Sequence, residues 1–377
     1  MRSFLAVSLM VIGGCGDNLG GGEDTGDHDT GGAGIDNSGE VINKLIPEVC
    51  ASHSWPSVFA QDKNLDLRAV PTQQGAAIFS VARGGGSLYG FVVDARGLII
   101  GDVAGTKVVD GTFTSMSATE IDGRLVVALL DGTKIFVNLL RDDLGETHLL
   151  DTMSGTMLGD TLIMHSRDNY VAAAGGAAGI TTSTFDANWT ALGTDVVQTS
   201  SPLSMTSTRY GNDAMIAWST PGDCHLARLG ANTHNTRGFP CRNNRIASNF
   251  DEKSGEMVFE ENGGVHHSDI LVGAHNDIAN NNQLVSVGTS PRVVHDGKRY
   301  WVSYINAHGD ITLGYLEDDG SLASMAIEGI RPMDGAYDLA VIDGSVWVYA
   351  FDGDNHYSAN KMCLTREGLD PTINSSI

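Results

Sequence analysis

Residues 339–351 read LAVIDGSVWVYAF: two apolar runs flank the pair Asp343-Gly344. Val, Ile, Trp, Tyr and Phe favour extended backbone. Asp-Gly between two such runs is a hairpin signal, because Gly accepts positive φ without steric cost and Asp tolerates it. The same grammar returns upstream. EIDGRLVV (120–127) places Asp122-Gly123 at the equivalent point, and VHDGKRYW (294–301) places Asp296-Gly297 there. A second turn recurs after the next strand, at Asp94-Ala95-Arg96-Gly97, Asp142-Asp143-Leu144-Gly145 and Asp318-Asp319-Gly320.

Working outward from these hairpins, seven apolar runs begin at Ala76, Leu125, Asn169, Asp213, Glu256, Arg299 and Ser345. Their starts are spaced by 49, 44, 44, 43, 43 and 46 residues. A period of about 45 with strand-like content is the signature of propeller blades, four strands to a blade. Each run is followed by another strand, from 89–93 in the first unit to 361–365 in the last, and preceded by a shorter one such as 116–121 or 339–342. No stretch of fifteen residues in the body carries helical periodicity, since Gly and Pro interrupt every candidate. The expectation is an all-β chain with a seven-bladed β-propeller of four-stranded blades over residues 44–377, preceded by a disordered tether. A β-sandwich pair or a β-helix is the alternative, and neither predicts seven units of this length. No named propeller family is matched. The Trp-Asp dipeptide of WD40 repeats and the Ser-x-Asp-x-Gly-x-Thr-Trp box of sialidase-like propellers are absent. Gly175-Gly176 and Gly263-Gly264 resemble kelch repeats, without the spaced Tyr and Trp of that family.

Composition agrees. Of 377 residues 47 are Gly, about 12% against a usual ~7%, as many tight turns require. The chain has 23 Lys and Arg against 46 Asp and Glu, a net charge of −23. That excludes nucleic acid as a partner, because phosphate recognition rests on Lys and Arg.

The N-terminus carries an address. Arg2 supplies one positive charge, and the apolar run from Phe4 to Ile12 is too short to span a bilayer. It ends at Ile12-Gly13-Gly14-Cys15. This resembles the lipobox of bacterial lipoproteins, with Ile in place of Leu and Gly in place of Ala or Ser. The resemblance implies a signal peptide over 1–14, cleavage before Cys15, and acylation of the Cys15 thiol and its new amine. Several acyl chains make a stable membrane anchor where one is marginal. Gly16 stands where that family's inner-membrane retention signal places Asp, which points to the outer membrane or cell surface. Residues 15–43 read as an acidic, Gly-rich linker. Within 16–40 stand seven acids (Asp17, Glu23, Asp24, Asp27, Asp29, Asp36 and Glu40) and no base, a self-repelling, flexible composition.

Four cysteines remain in the body, Cys50, Cys224, Cys241 and Cys363, and four allow three connectivities. An even count in an exported protein favours disulfides. Cys224 and Cys241 are read onto the third and fourth strands of the fourth unit, facing across a hairpin. Cys363 lies on the third strand of the last unit. Cys50 sits in LIPEVC, a run that could supply that unit's fourth strand, so a 50–363 pair would lock the ring shut.

Binding residues are sought on the face opposite the Asp-Gly turns. Candidates there are His308, Asp354, His356 and Tyr357, with Arg245, Arg292, Arg331 and Asp334 at the crossings into the innermost strands. Three arginines near a common funnel could clamp a carboxylate or sulfate by bidentate bonds; the alternative is that each pairs with a local acid. Asp352, Asp354 and Asn355 offer oxygen ligands for Ca²⁺, although alternating Asp and Asn also form turns. His266 and His267 are neighbours on a strand and point to opposite faces, so they cannot share a metal. Trp218, Trp301 and Trp347 are read as core. Gly-x-Ser-x-Gly, His-Glu-x-x-His and Cys-x-x-Cys are all missing. The expectation is a monomeric, lipid-anchored, non-catalytic module binding a protein, glycan or envelope component. The rival is a glycoside hydrolase or lyase that uses funnel carboxylates such as Asp334 or Asp354.

Overall fold

The computed structural model describes residues 34–35, 41–42, 45–57, 65–101, 105–141, 144–145, 147–156, 164–166, 168–198, 200–229, 233–249, 254–271, 277–352 and 356–366. Strands and turns make up these residues, with no α-helix among them. Cys15 and Asp354 lie outside the described residues, as do most of the tether. Within the tether Gly34–Ile35 pairs with Val41–Ile42 in a two-residue antiparallel ladder, where β-branched Ile35, Val41 and Ile42 favour extended backbone.

Seven antiparallel sheets follow one another along the chain as seven blades. Their innermost strands are Leu65–Thr72, Ser115–Ile121, Met164–Ser166, Ser204–Tyr210, Arg242–Asn249, Thr289–His295 and Pro332–Ile342. All seven apolar runs become the second strands, from Gly75–Ala82 in blade 1 to Ser345–Asp352 in blade 7. In blades 1 and 4 every side chain of that strand is buried. Neighbouring blades cover both its faces, so the sequence reads as a continuous apolar run, not as an alternation.

The ring closes on itself. Blade 7 takes its outermost strand, Leu45–Pro56, from the front of the chain, paired antiparallel with His356–Arg366 from Leu45↔Arg366 to Pro56↔His356. Cys50 and Cys363 form a disulfide across this seam, spanning 313 residues. Cys224 and Cys241 form the second. Its position corrects the sequence reading: the fourth strand of blade 4 is Thr233–Arg237, and Cys241 follows it, just before the innermost strand of blade 5. The bridge therefore staples blade 4 to the crossing into blade 5.

Two of the three Asp-Gly turns close two-residue hairpins. Asp122-Gly123 (φ 51° and 77°) and Asp343-Gly344 (φ 49° and 70°) are left-handed at both positions, as a two-residue hairpin demands. The Asp296 turn differs, since His295 pairs with Tyr300 and the loop holds four residues. There the Asp296 carboxylate accepts bonds from the Lys298 and Arg299 amides and from Trp301 Nε1.

Buried apolar residues gather into seven clusters, one at each interface between adjacent blades. Trp218, Trp301 and Trp347 belong to them, as read from the sequence. The blade 7–blade 1 cluster at the seam holds sixteen buried residues, Trp347, Tyr349 and Tyr357 among them. The blade 5–blade 6 cluster holds four: Ala247, Val258, Val293 and Val302.

Candidate functional site

Blades 5, 6 and 7 enter their innermost strands by the same irregular step. The ladder is interrupted at Arg242/Arg245, Thr289/Arg292 and Pro332/Tyr337. Asn243, Ser290 and Gly335 have positive φ, each two residues before the point where pairing resumes. The step aims Arg245, Arg292 and Tyr337 from three successive blades toward one another. The Arg292 guanidinium lies over the Tyr337 ring, 5.0 Å from its centroid. Arg245 is close enough to act electrostatically on the Tyr337 hydroxyl, which burial pushes up to about 12.

These arginines are tied into the ring itself. Arg292 Nη1 donates to the Ser290 and Pro291 carbonyls, and its Nε lies 3.5 Å from Asp338 Oδ1 of blade 7. Asp338 Oδ2 in turn accepts the Ala69 amide of blade 1. Arg245 Nη1 donates to the Asn244 carbonyl. Arg331 pairs with Asp310 at 2.9 Å on an exposed turn. The local pairing weighed against the clamp is thus what Arg292 and Arg331 display.

The other sequence candidates separate. His308 is exposed in a turn where the Asn306 side chain accepts the His308 and Asp310 amides. His356 is exposed, and its amide donates to Asp352 Oδ1, which makes Asp352 a turn former. Asp334 lies within the innermost strand of blade 7, its side chain outside the described set. Tyr357 is corrected: it is 1% exposed, with its hydroxyl 2.7 Å from Ser80 Oγ of blade 1, a core residue of the seam.

A different constellation emerges between blades 5 and 6. Glu256 on the second strand of blade 5 stands directly opposite Asp269 on the third, and His267 lies two residues from Asp269 on the same side. Glu256 and His267 are each 3% exposed, and Asp269 lies at the open side. His267 Nδ1 is 2.7 Å from Glu256 Oε1. Burial pushes the Glu256 carboxyl up to about 7; His267 opposes the rise and Asp269 adds to it. In front lies a cleft of about 830 Å³, lined also by Tyr300, Tyr315, Lys298, Arg299 and the turn Glu317–Gly320. His266 points the other way, to Asn281 and Glu261, as strand alternation requires. Sequence reasoning passed over this cluster, yet a signal existed. Glu256 stands buried at the head of the apolar stretch Met257–Phe259, and His267 and Asp269 alternate on the strand that pairs with it.

No family model matches the chain, and no curated protein matches it. Solved structures do. A chain from the "Crystal Structure of Mitotic Checkpoint Complex" superposes with a TM-score of 0.56 at 11% identity, covering 89% of this chain and 96% of that one. Kuenenia stuttgartiensis hydrazine synthase gives 0.55 at 15% identity, covering 84% and 98%. The WD40 repeats of RRP9 give 0.50 at 11%, covering 82% and 100%. At such identities the likeness is one of fold: the chain is a seven-bladed β-propeller, without the Trp-Asp dipeptide of WD40 repeats.

Proposed function

We propose that this chain is a non-catalytic protein-interaction module, held to the outer membrane or cell surface by acylated Cys15 and standing off on its acidic tether. One observation carries the binding half of this reading. Exposed large apolar side chains recur on the outermost strands of four successive blades: Ile46 in blade 7, Ile100 in blade 1, Leu149 in blade 2, and Leu192 and Val196 in blade 3. The last two are 57% and 56% exposed. A rim that repeats such side chains from blade to blade offers apolar anchor points for docking of another macromolecule. Beside Ile100 a cleft of about 720 Å³ runs between blades 1 and 2, lined by Gln74, Arg124 and Arg141, which adds polar groups to the arc. The neighbours in fold include a subunit of a named assembly and an enzyme, so fold alone does not choose between binding and catalysis.

The test uses the ring from residue 41 against envelope proteins and a glycan panel, with product analysis throughout. Leu192→Glu and Val196→Glu together are expected to abolish capture of a protein partner while leaving the melting temperature unchanged. Capture that survives both substitutions refutes the rim as the docking surface. Turnover of a polysaccharide hands the function to the glycoside hydrolase or lyase reading. In the full chain, labelled palmitate is expected on wild type and not on Cys15→Ser; a soluble, unlabelled wild type removes the anchor.

A further inference from the structure

The blade 5–blade 6 interface has the smallest apolar cluster of the seven, and Glu256 and His267 are buried beside it. Burying Glu256 and His267 costs free energy unless something compensates. Among the described residues the ion-pair partner of Glu256 is His267, and one imidazole faces two carboxyl groups. Arg299, which lines the cleft, is turned onto the Tyr315 ring, 5.5 Å from its centroid.

Two further observations point to a ligand. His267 is held at Nδ1 by the Glu256 carboxyl, while its buried Nε2 has no hydrogen-bond partner. A buried imidazole nitrogen without a partner is a donor atom left for a ligand to satisfy. Above that nitrogen passes the turn of blade 6 at Gly320 (φ 79°), where a Cβ would come within 3.6 Å of Nε2.

We propose that Glu256, His267 and Asp269 bind a divalent transition-metal ion at the floor of the blade 5–blade 6 cleft. One donor atom from each of the three residues lies within 4.8 Å of the other two, so small side-chain movements bring all three onto one ion. The ion places positive charge between the two carboxyl groups at the cleft floor. An imidazole with two carboxylates suits zinc-class ions, whereas Ca²⁺ and Mg²⁺ take shells of oxygen. Three protein ligands leave a coordination position facing the cleft, open to water. The apolar rim arc plays no part in this site.

The experiment is calorimetric titration of untagged, chelator-stripped full chain with Zn²⁺, with Co²⁺ absorption reporting the ligand set. Wild type is expected to bind one tight equivalent with proton release, and Ca²⁺ in excess leaves that binding unchanged. Asp269→Asn, at the open side of the cleft, is expected to fold as wild type and to weaken binding at least tenfold. His267→Gln is expected to abolish the Co²⁺ spectrum. No binding by wild type in zinc excess overturns the proposal, and so does a tight equivalent that persists in folded Asp269→Asn. A rim variant that keeps zinc and loses its partner separates this site from the docking function.

Discussion

Asp122 does two jobs at once. It occupies the left-handed region that closes the first hairpin of blade 2, and its carboxylate accepts the Tyr170 hydroxyl of blade 3 at 2.7 Å. Burial, then the bond to Asp122 and its charge, push the Tyr170 hydroxyl up to about 12. The folded state thus holds this proton more tightly than the unfolded chain. The stabilisation is fully present below the unfolded value of about 10 and is lost as pH rises through the folded one. Spectrophotometric titration is expected to show late tyrosines, Tyr170 and Tyr337 among them. The late amplitude should fall by one tyrosine in Tyr170→Phe, and one tyrosine should move to lower pH in Asp122→Asn. A Tyr170 that ionises together with exposed tyrosines contradicts the bond. The turn role of Asp122 was legible in EIDGRLVV; its partner was not, since no local pattern announces a hydroxyl arriving from the next blade.

Among the strands, Leu45–Pro56 matters most, because it alone joins the two ends of the ring. The chain-entropy model gives about 6 kcal/mol for a bridge spanning 313 residues and about 3 kcal/mol for one spanning 17, both upper-end figures. Cys50→Ser with Cys363→Ser is therefore expected to lower urea stability more than Cys224→Ser with Cys241→Ser. Equal losses would mean the seam is held by its ladder and apolar cluster alone. The seam was readable because LIPEVC is an apolar run without a unit of its own. Cys241 was misplaced for the opposite reason. The true fourth strand, THNTR at Thr233–Arg237, has no apolar signal, so the count slid to the next cysteine. In blade 1 the outermost position is shared by Ile99–Ile100 and Thr106–Phe113, both paired with Gly86–Asp94.

For the whole molecule, the net charge of −23 sets a field against which the ring must hold itself together. Raising ionic strength from about 0.01 M to about 0.15 M shortens the Debye length from ~30 Å to ~8 Å and relieves that self-repulsion. The melting temperature at neutral pH is expected to rise over this range, as scanning calorimetry can check; a flat or falling value would show the charges to be locally paired. Blade number and order were legible at this scale because a repeat of about 45 residues imposes its own bookkeeping on the sequence. The Glu256–His267–Asp269 cluster was not, because it depends on the register that sets Glu256 opposite Asp269 within blade 5, something a linear period does not encode.

The borrowed outermost strand of blade 7 also has a temporal consequence. A ribosome makes that strand before the rest of the ring and its partner, His356–Arg366, after it. Six blades can assemble during synthesis, yet the seventh must wait for residues 356–366 to emerge. Until then the nascent chain is an open arc, threadable through a narrow passage and vulnerable to proteases, and only the arrival of that strand converts it into a circle.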